Sequence, residues 1–173
     1  EQMDNSIEGS DAWEAYKKNW DAAQTAANDA QDQMLSKTEE WVEAMKAAIE
    51  NDGYKVDVLI NNAGVALFGL FQHISEEQAA NMYGTNLFGT LNCTRAFLPD
   101  MLEAKHGCII NMSSVWGEVG ASCEVDYSTA KAAIVGLTKA LAKEVGFSGV
   151  RVNCISPGII DTDMNAELSV EDI

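Results

Sequence analysis

Tyr127 and Lys131 stand four residues apart in a stretch with the spacing of an amphipathic helix, so their side chains share one face about a turn apart. A phenol with an ordinary pKa near 10 exchanges protons poorly at neutral pH. An ammonium at about 4 Å, in an effective dielectric near 20, favours the phenolate by roughly 4 kcal/mol, around three pKa units before desolvation takes some back. The pair is therefore a candidate general acid and base, with an ordinary amphipathic surface pair as the competing reading. Ser114, thirteen residues before Tyr127, directly follows an apolar run, where its hydroxyl can meet a substrate oxygen or simply serve a turn. Asn86 lies in a long helical stretch, where an amide is an indifferent helix former and costs free energy if buried unpaired; it is either solvated or placed. Trp116, Glu118 and Cys123 follow the serine and either border a substrate or pack.

These residues need elements to hold them. Val56 to Ile60 is a short β-branched run before the turn Asn61-Asn62-Ala63-Gly64, and Cys108 to Met112 and Val150 to Ile155 read as further buried strands. Between them, Ser75 with Gln78 forms a capping box opening a helix to about Glu103, and a second helix spans about 126 to 145. Strand, helix, strand, helix, strand is the order of an α/β fold with a parallel sheet. Such sheets bind ligands beyond the carboxyl ends of their strands, where Asn61 to Gly64, Ser113-Ser114 and Pro157-Gly158 all fall.

Residues 1–55 differ, with only Gly9 and Gly53 and no proline, and read as an acidic helical segment. Trp13, Tyr16, Trp20, Ala23, Ala27, Ala30 and Met34 form one apolar stripe, expected to pack on its own domain rather than serve as a docking surface. Ser36 with Glu39 predicts a second helix over about 36–52, its apolar face made of Trp41, Val42, Met45, Ala48 and Ile49, ending at Asn51-Asp52-Gly53. That second helix is assigned to the following domain, residues 56–173.

With 11 basic against 27 acidic residues the 173-residue chain carries a formal charge of −16, which argues against nucleic acid and anionic lipid as partners. Its apolar share of 47% is enough for a core, no apolar run approaches the roughly 20 residues of a membrane span, and the opening residues lack a secretion signal's pattern. A cytoplasmic location is the resulting expectation. Cys93, Cys108, Cys123 and Cys154 lack zinc-site spacing and are expected as buried free thiols, with no metal site.

Asn61-Asn62-Ala63-Gly64 after a strand, Asn86 in Asn-Leu-Phe-Gly, Ser113-Ser114, Tyr127-x-x-x-Lys131 and Pro157-Gly158-Ile159-Ile160-Asp161-Thr162 together resemble the classical short-chain dehydrogenase/reductases over about residues 36 to 165. The resemblance implies a Rossmann-like doubly wound parallel sheet and an NAD(P)(H)-dependent oxidoreductase moving hydride between nicotinamide and a carbonyl or secondary alcohol. It implies Tyr127 as proton donor, Ser114 as the hydrogen-bond partner of the substrate oxygen, Lys131 as the group that lowers the Tyr127 pKa and holds the nicotinamide ribose, and Asn86 as the anchor of a relay water. Asn62, Ala63 and Gly64 would line the adenosine side of the cofactor, and Pro157, Gly158, Ile160 and Thr162 the nicotinamide end, with Trp116 beside the substrate. The branch most similar is that of the 3-oxoacyl-acyl-carrier-protein reductases, including reductases of an aminopentanone group on a translation elongation factor. The substrate would be a small or carrier-bound oxoacyl carbonyl compound, the cofactor NADP or NAD with NADPH favoured, and the assembly a homodimer or homotetramer.

The pattern is incomplete. No Gly-x-x-x-Gly-x-Gly precedes the first strand, and only fifteen residues follow Gly158, so the sheet is expected to be partial and the chain to be a piece of a larger enzyme or an inactive fragment. Two other classes compete: an interaction protein that kept this scaffold, and a sugar-nucleotide epimerase or dehydratase of the extended relatives.

Overall fold

The computed structural model describes residues 11–160, apart from the side chains of 11–13, 16 and 26–37. Three strands, β1 (Val58–Asn61), β2 (Gly107–Met112) and β3 (Val150–Ile155), form a parallel sheet in the order β1-β2-β3. β1 begins two residues later than the β-branched run suggested and ends by drawing Asn61 into the ladder opposite Asn111. The chain divides into two compact units, Glu1–Lys37 and Thr38–Ile173, and the sheet belongs to the second.

The N-terminal region holds one helix, α1 (Asp11–Asn51), where the sequence suggested two. Ser36 therefore does not cap a new helix: no glycine or proline lies between Gly9 and Gly53, so nothing stops the first helix before it reaches the signal. Gly53, at φ +79°, supplies the left-handed residue that ends it, and Tyr54 N–H returns to the Ile49 carbonyl. In the second unit, Val42 is buried and Met45 and Ile49 pack against the core, but Trp41 is 68% exposed and Ala48 is exposed too. The stripe that faces the core follows 42, 45 and 49, which leaves Trp41 and Ala48 on its flanks. Lys46 lies between, bonded to Glu50 and, at 2.6 Å, to Asp100. In the first unit Trp20 and Ala23 are exposed, against the expectation that this stripe is buried; its other members lie outside the described side chains.

Residues 76–104 are helical throughout but in three pieces. α2 (Glu76–Tyr83) opens with the Ser75–Gln78 capping box, both of its bonds formed; a π-helical turn spans Gly84–Gly89; and α3 (Thr90–Ala104) follows. A short helix that the sequence reading missed, α4 (Val115–Val119), follows β2, and α5 (Val125–Val145) leads to β3. Leu59, Ile109, Val150 and Val152 of the sheet meet Phe97 and Met101 of α3 and Val145 of α5 in one buried cluster. Val58, Ile60 and Ile155 remain about half exposed or more. All four cysteines are free, but only Cys108 is buried; the others are half-buried, Cys93 at the margin of this core.

A polar chain runs through the same interior. Asn61 Nδ2 donates to Asn111 Oδ1 at 2.8 Å and to Thr94 Oγ1 at 3.1 Å, Asn111 Nδ2 donates to Thr138 Oγ1 at 2.9 Å, and Thr138 Oγ1 donates to the Ile134 carbonyl at 2.8 Å. All four side chains are buried, so none can turn to water instead. Asn111→Leu, similar in size, strips partners from both neighbours at once and is expected to cost about 2–4 kcal/mol of stability. A urea titration would read this as a lower midpoint at unchanged slope.

Candidate active site

Ser114 sits where the sheet ends. Ser113 N–H donates to the Ile155 carbonyl and Val115 N–H to the Pro157 carbonyl, both at 2.8 Å, so the β2–β3 ladder continues past both strands and grips Ser114 from either side. Its backbone is extended (φ −158°, ψ 156°) and its Oγ accepts from Trp116 N–H at 3.2 Å, capping α4. The residue is buried.

α4 in turn lies hard against α5. Ser113 Oγ donates to the Lys131 carbonyl at 2.8 Å, and a Cβ on Gly117 would stand 2.7 Å from the Lys131 carbonyl carbon and 2.9 Å from the Ala132 nitrogen. Only a glycine permits this approach. The same packing sets Tyr127 near Ser114, and the Lys131 ammonium, in a residue only 5% exposed, lies on the Met112 carbonyl at 2.9 Å.

The electrostatics differ from the sequence expectation. Burial pushes the Tyr127 phenol up, Ser114's hydrogen bond opposes this, and the Glu124 charge adds to it. Lys131 does not reverse the balance: its ammonium lies 5.7 Å from the centre of the Tyr127 ring and is turned to Met112, and burial lowers its own pKa. The expectation that the lysine pulls the phenol down is thus corrected. Burial leaves the Tyr127 phenol above its ordinary value.

Asn86 occupies the π-helical turn and is 1% exposed. Its Oδ1 accepts from Val65 N–H at 2.8 Å and its Nδ2 donates to the Val65 carbonyl at 2.9 Å, so the side chain acts as a short strand that fixes the loop after β1. That loop passes Gly64 close to Lys131: a Cβ there would meet Asn86 Oδ1 at 3.4 Å and Lys131 Nζ at 3.5 Å. Asn62 and Ala63 are exposed beside it, Trp116 and Pro157 are half-buried, Gly158 and Ile160 are exposed, and Thr162 lies outside the described residues.

The structure thus brings Ser114, Tyr127, Lys131, Asn86 and Gly64 together at the carboxyl ends of the strands, as the topology of an open parallel sheet favours. The sequence reading had no role for Gly117, for the Asn61–Asn111 pair or for Ser113. Asparagines inside two otherwise apolar strand runs were the available signal for that pair. Two open hollows of about 270 and 230 Å³ lie elsewhere, between α1 and α3, and carry none of these residues. Among the described residues no cluster of three or more His, Cys, Asp or Glu is arranged to hold a metal, and no helix is long and apolar enough to cross a membrane.

The space in front of Lys131 suits a polar ligand. An ammonium has three donors, of which one goes to Met112, and the absent Gly64 side chain leaves its approach open. This donor set fits the ribose hydroxyls of a nicotinamide nucleotide, whereas a glycine-rich turn for the pyrophosphate is not present in the sequence.

The sequence profile described as short chain dehydrogenase matches residues 8–172. A 3-oxoacyl-acyl-carrier-protein reductase of Chlamydia muridarum is 38% identical over 160 residues, covering 87% of this chain and 64% of that protein. A crystal structure of a 3-oxoacyl-acyl-carrier-protein reductase from Brucella melitensis superposes with a TM-score of 0.69 at 36% identity, over 75% of this chain and 51% of that one. Another from the same organism, with bound NAD, gives a TM-score of 0.67 at 35% identity, over 72% and 50%. The chain spans between about half and two thirds of the length of the curated relatives it matches.

Gly117→Ala is expected to force α4 away from α5, costing about 1–3 kcal/mol of stability. It also separates Ser114 from Tyr127, which a chemical-shift change at both residues would reveal.

Proposed function

The chain belongs to the short-chain dehydrogenase family, and on that premise we propose that it is the catalytic section of an NAD(P)(H)-dependent oxidoreductase, transferring hydride between nicotinamide and a carbonyl or secondary alcohol. The observation that supports this most is the convergence of the Ser114 hydroxyl, the Tyr127 phenol and the buried Lys131 ammonium at one end of the sheet.

Bound nicotinamide supplies the hydride. The protein's residues orient the carbonyl and supply the proton. Tyr127, held neutral by burial, donates its proton to the carbonyl oxygen as negative charge develops there, and Ser114 gives that oxygen a second hydrogen bond from a backbone fixed by the extended ladder. Lys131 holds the ribose hydroxyls and replenishes the Tyr127 proton. Asn86 fixes the loop that carries Gly64, and its relay-water role is part of this proposal. Asn62, Ala63 and Gly64 line the adenosine side, Pro157, Gly158, Ile160 and Thr162 the nicotinamide end, and Trp116 the substrate. Residues 38–51 of α1 serve as a helix of the Rossmann-like unit.

The relatives named as 3-oxoacyl-acyl-carrier-protein reductases support an oxoacyl, carrier-bound substrate, and the NAD-bound neighbour supports a dinucleotide, with NADPH our choice between NADP and NAD. A cytoplasmic homodimer or homotetramer completes the reading.

Tyr127→Phe is expected to lower nicotinamide-dependent reduction of an oxoacyl substrate by more than about a hundredfold. Circular dichroism should show the fold unchanged. Turnover followed at the nicotinamide absorbance and undiminished in this variant would sink the assignment.

A further inference from the structure

We propose that Tyr83 and Asp126 are a positioning pair that fixes the first turn of α5, and Tyr127 with it, against the candidate active site; only the catalytic consequence rests on the hydride-transfer reading. The Tyr83 hydroxyl donates to Asp126 Oδ1 at 3.0 Å. This joins the last residue of α2 to the residue immediately before Tyr127.

The first turn of α5 needs such a tie. Its N-cap, Glu124, makes no side-chain capping bond and has φ −129° and ψ 38°, away from the extended geometry in which an N-cap side chain reaches back to the helix. Two further side-chain bonds on this turn stay within residues 121–129. Ser128 Oγ accepts from Ala121 N–H at 3.1 Å, and Thr129 Oγ1 donates to the Val125 carbonyl within the helix. Tyr83 instead comes from a separate helix, and the Asp126 carboxylate lies at the positive end of α5.

Both partners are half-buried, which shields the bond from water. Burial, then Asp126, push the Tyr83 phenol up against a smaller opposing pull from a hydrogen bond with Thr129, so it stays the donor to Asp126. Three residues further on, Asn86 grips Val65, so one helical stretch is anchored at two points: to α5 through Tyr83 and to the loop after β1 through Asn86. The charged groups facing Tyr127 are Glu124, on the same turn, and Lys131, one turn on. A small rotation of the turn would therefore alter both what Tyr127 feels and its reach to Ser114.

The test uses the 173-residue chain with ¹³C-labelled tyrosine rings, the Tyr127 signal being identified by its loss in Tyr127→Phe. In Tyr83→Phe and Asp126→Ala this signal is expected to shift, and its titration midpoint to move by about half a pH unit, roughly a threefold change in proton affinity. Asp126→Asn keeps an oxygen acceptor in place and should restore it. Nicotinamide-dependent turnover is expected to fall about tenfold in kcat with KM for the nucleotide within about twofold, again restored by Asp126→Asn. An unchanged Tyr127 signal in Tyr83→Phe overturns the proposal, as does an Asp126→Asn variant as impaired as Asp126→Ala. A signal that responds as expected in a chain that oxidises no nicotinamide upholds the positioning pair and sinks the hydride-transfer reading alone.

Discussion

The structure hangs on amides that cannot reach water. Asn61, Asn111, Thr94 and Thr138 lie in the interior of a parallel sheet and its covering helices, where each lost hydrogen bond leaves a buried dipole uncompensated. Because each donor has one well-placed acceptor, the chain of bonds fixes β1 against β2, α3 against β1 and α5 against β2 in one register. Apolar contacts between Ile109, Phe97 and Met101 tolerate sliding of a few tenths of an ångström, but a chain of amides and hydroxyls does not. The position of α5, and hence of Tyr127 and Lys131, follows from that register.

Around the site, desolvation outweighs attraction. An ammonium and a phenol on one helix face ought to favour phenolate if Coulomb's law acted alone. Both groups are instead taken out of water, which favours the uncharged form of each, and the lysine spends one donor on a strand-end carbonyl rather than on the ring oxygen. The phenol thereby keeps its proton, the state that the proposed proton donation calls for.

Much of this was legible in the residues, and what was not has identifiable causes. The three strands, the Ser75 capping box, α5, Ser114 at a strand end and the shared face of Tyr127 and Lys131 follow from period and spacing, which are local properties, while their grouping in one site follows from the resemblance. Local signals failed where tertiary context decided. Ser36 and Glu39 make a sound capping box in a place where nothing halts the preceding helix, and Trp41 lies just off the stripe that the core selects. The need for Gly117 depends on how closely α4 approaches α5, and the direction of the Tyr127 shift on how deeply it is buried; spacing along a chain carries neither quantity. Asn86 stands out as an indifferent helix former that is either solvated or placed, but its grip on Val65 requires knowing that the β1 loop passes alongside.

The π-helical turn at Gly84–Gly89 gives the rod from 76 to 104 two rotational phases. Upstream of it, Tyr83 points to α5; downstream, Phe97 and Met101 point to the sheet. An α-helix turns about 100° per residue, and the wider π turn fits about one residue more into the same rotation. The widened turn thus takes up an extra residue and presents Asn86 inward at the join. Length is therefore forgiving only here: removing a single residue from the turn would let it close to an α-helical turn with both halves of the rod keeping their faces, whereas the same deletion within α2 or α3 would rotate the rest of the rod by about 100°.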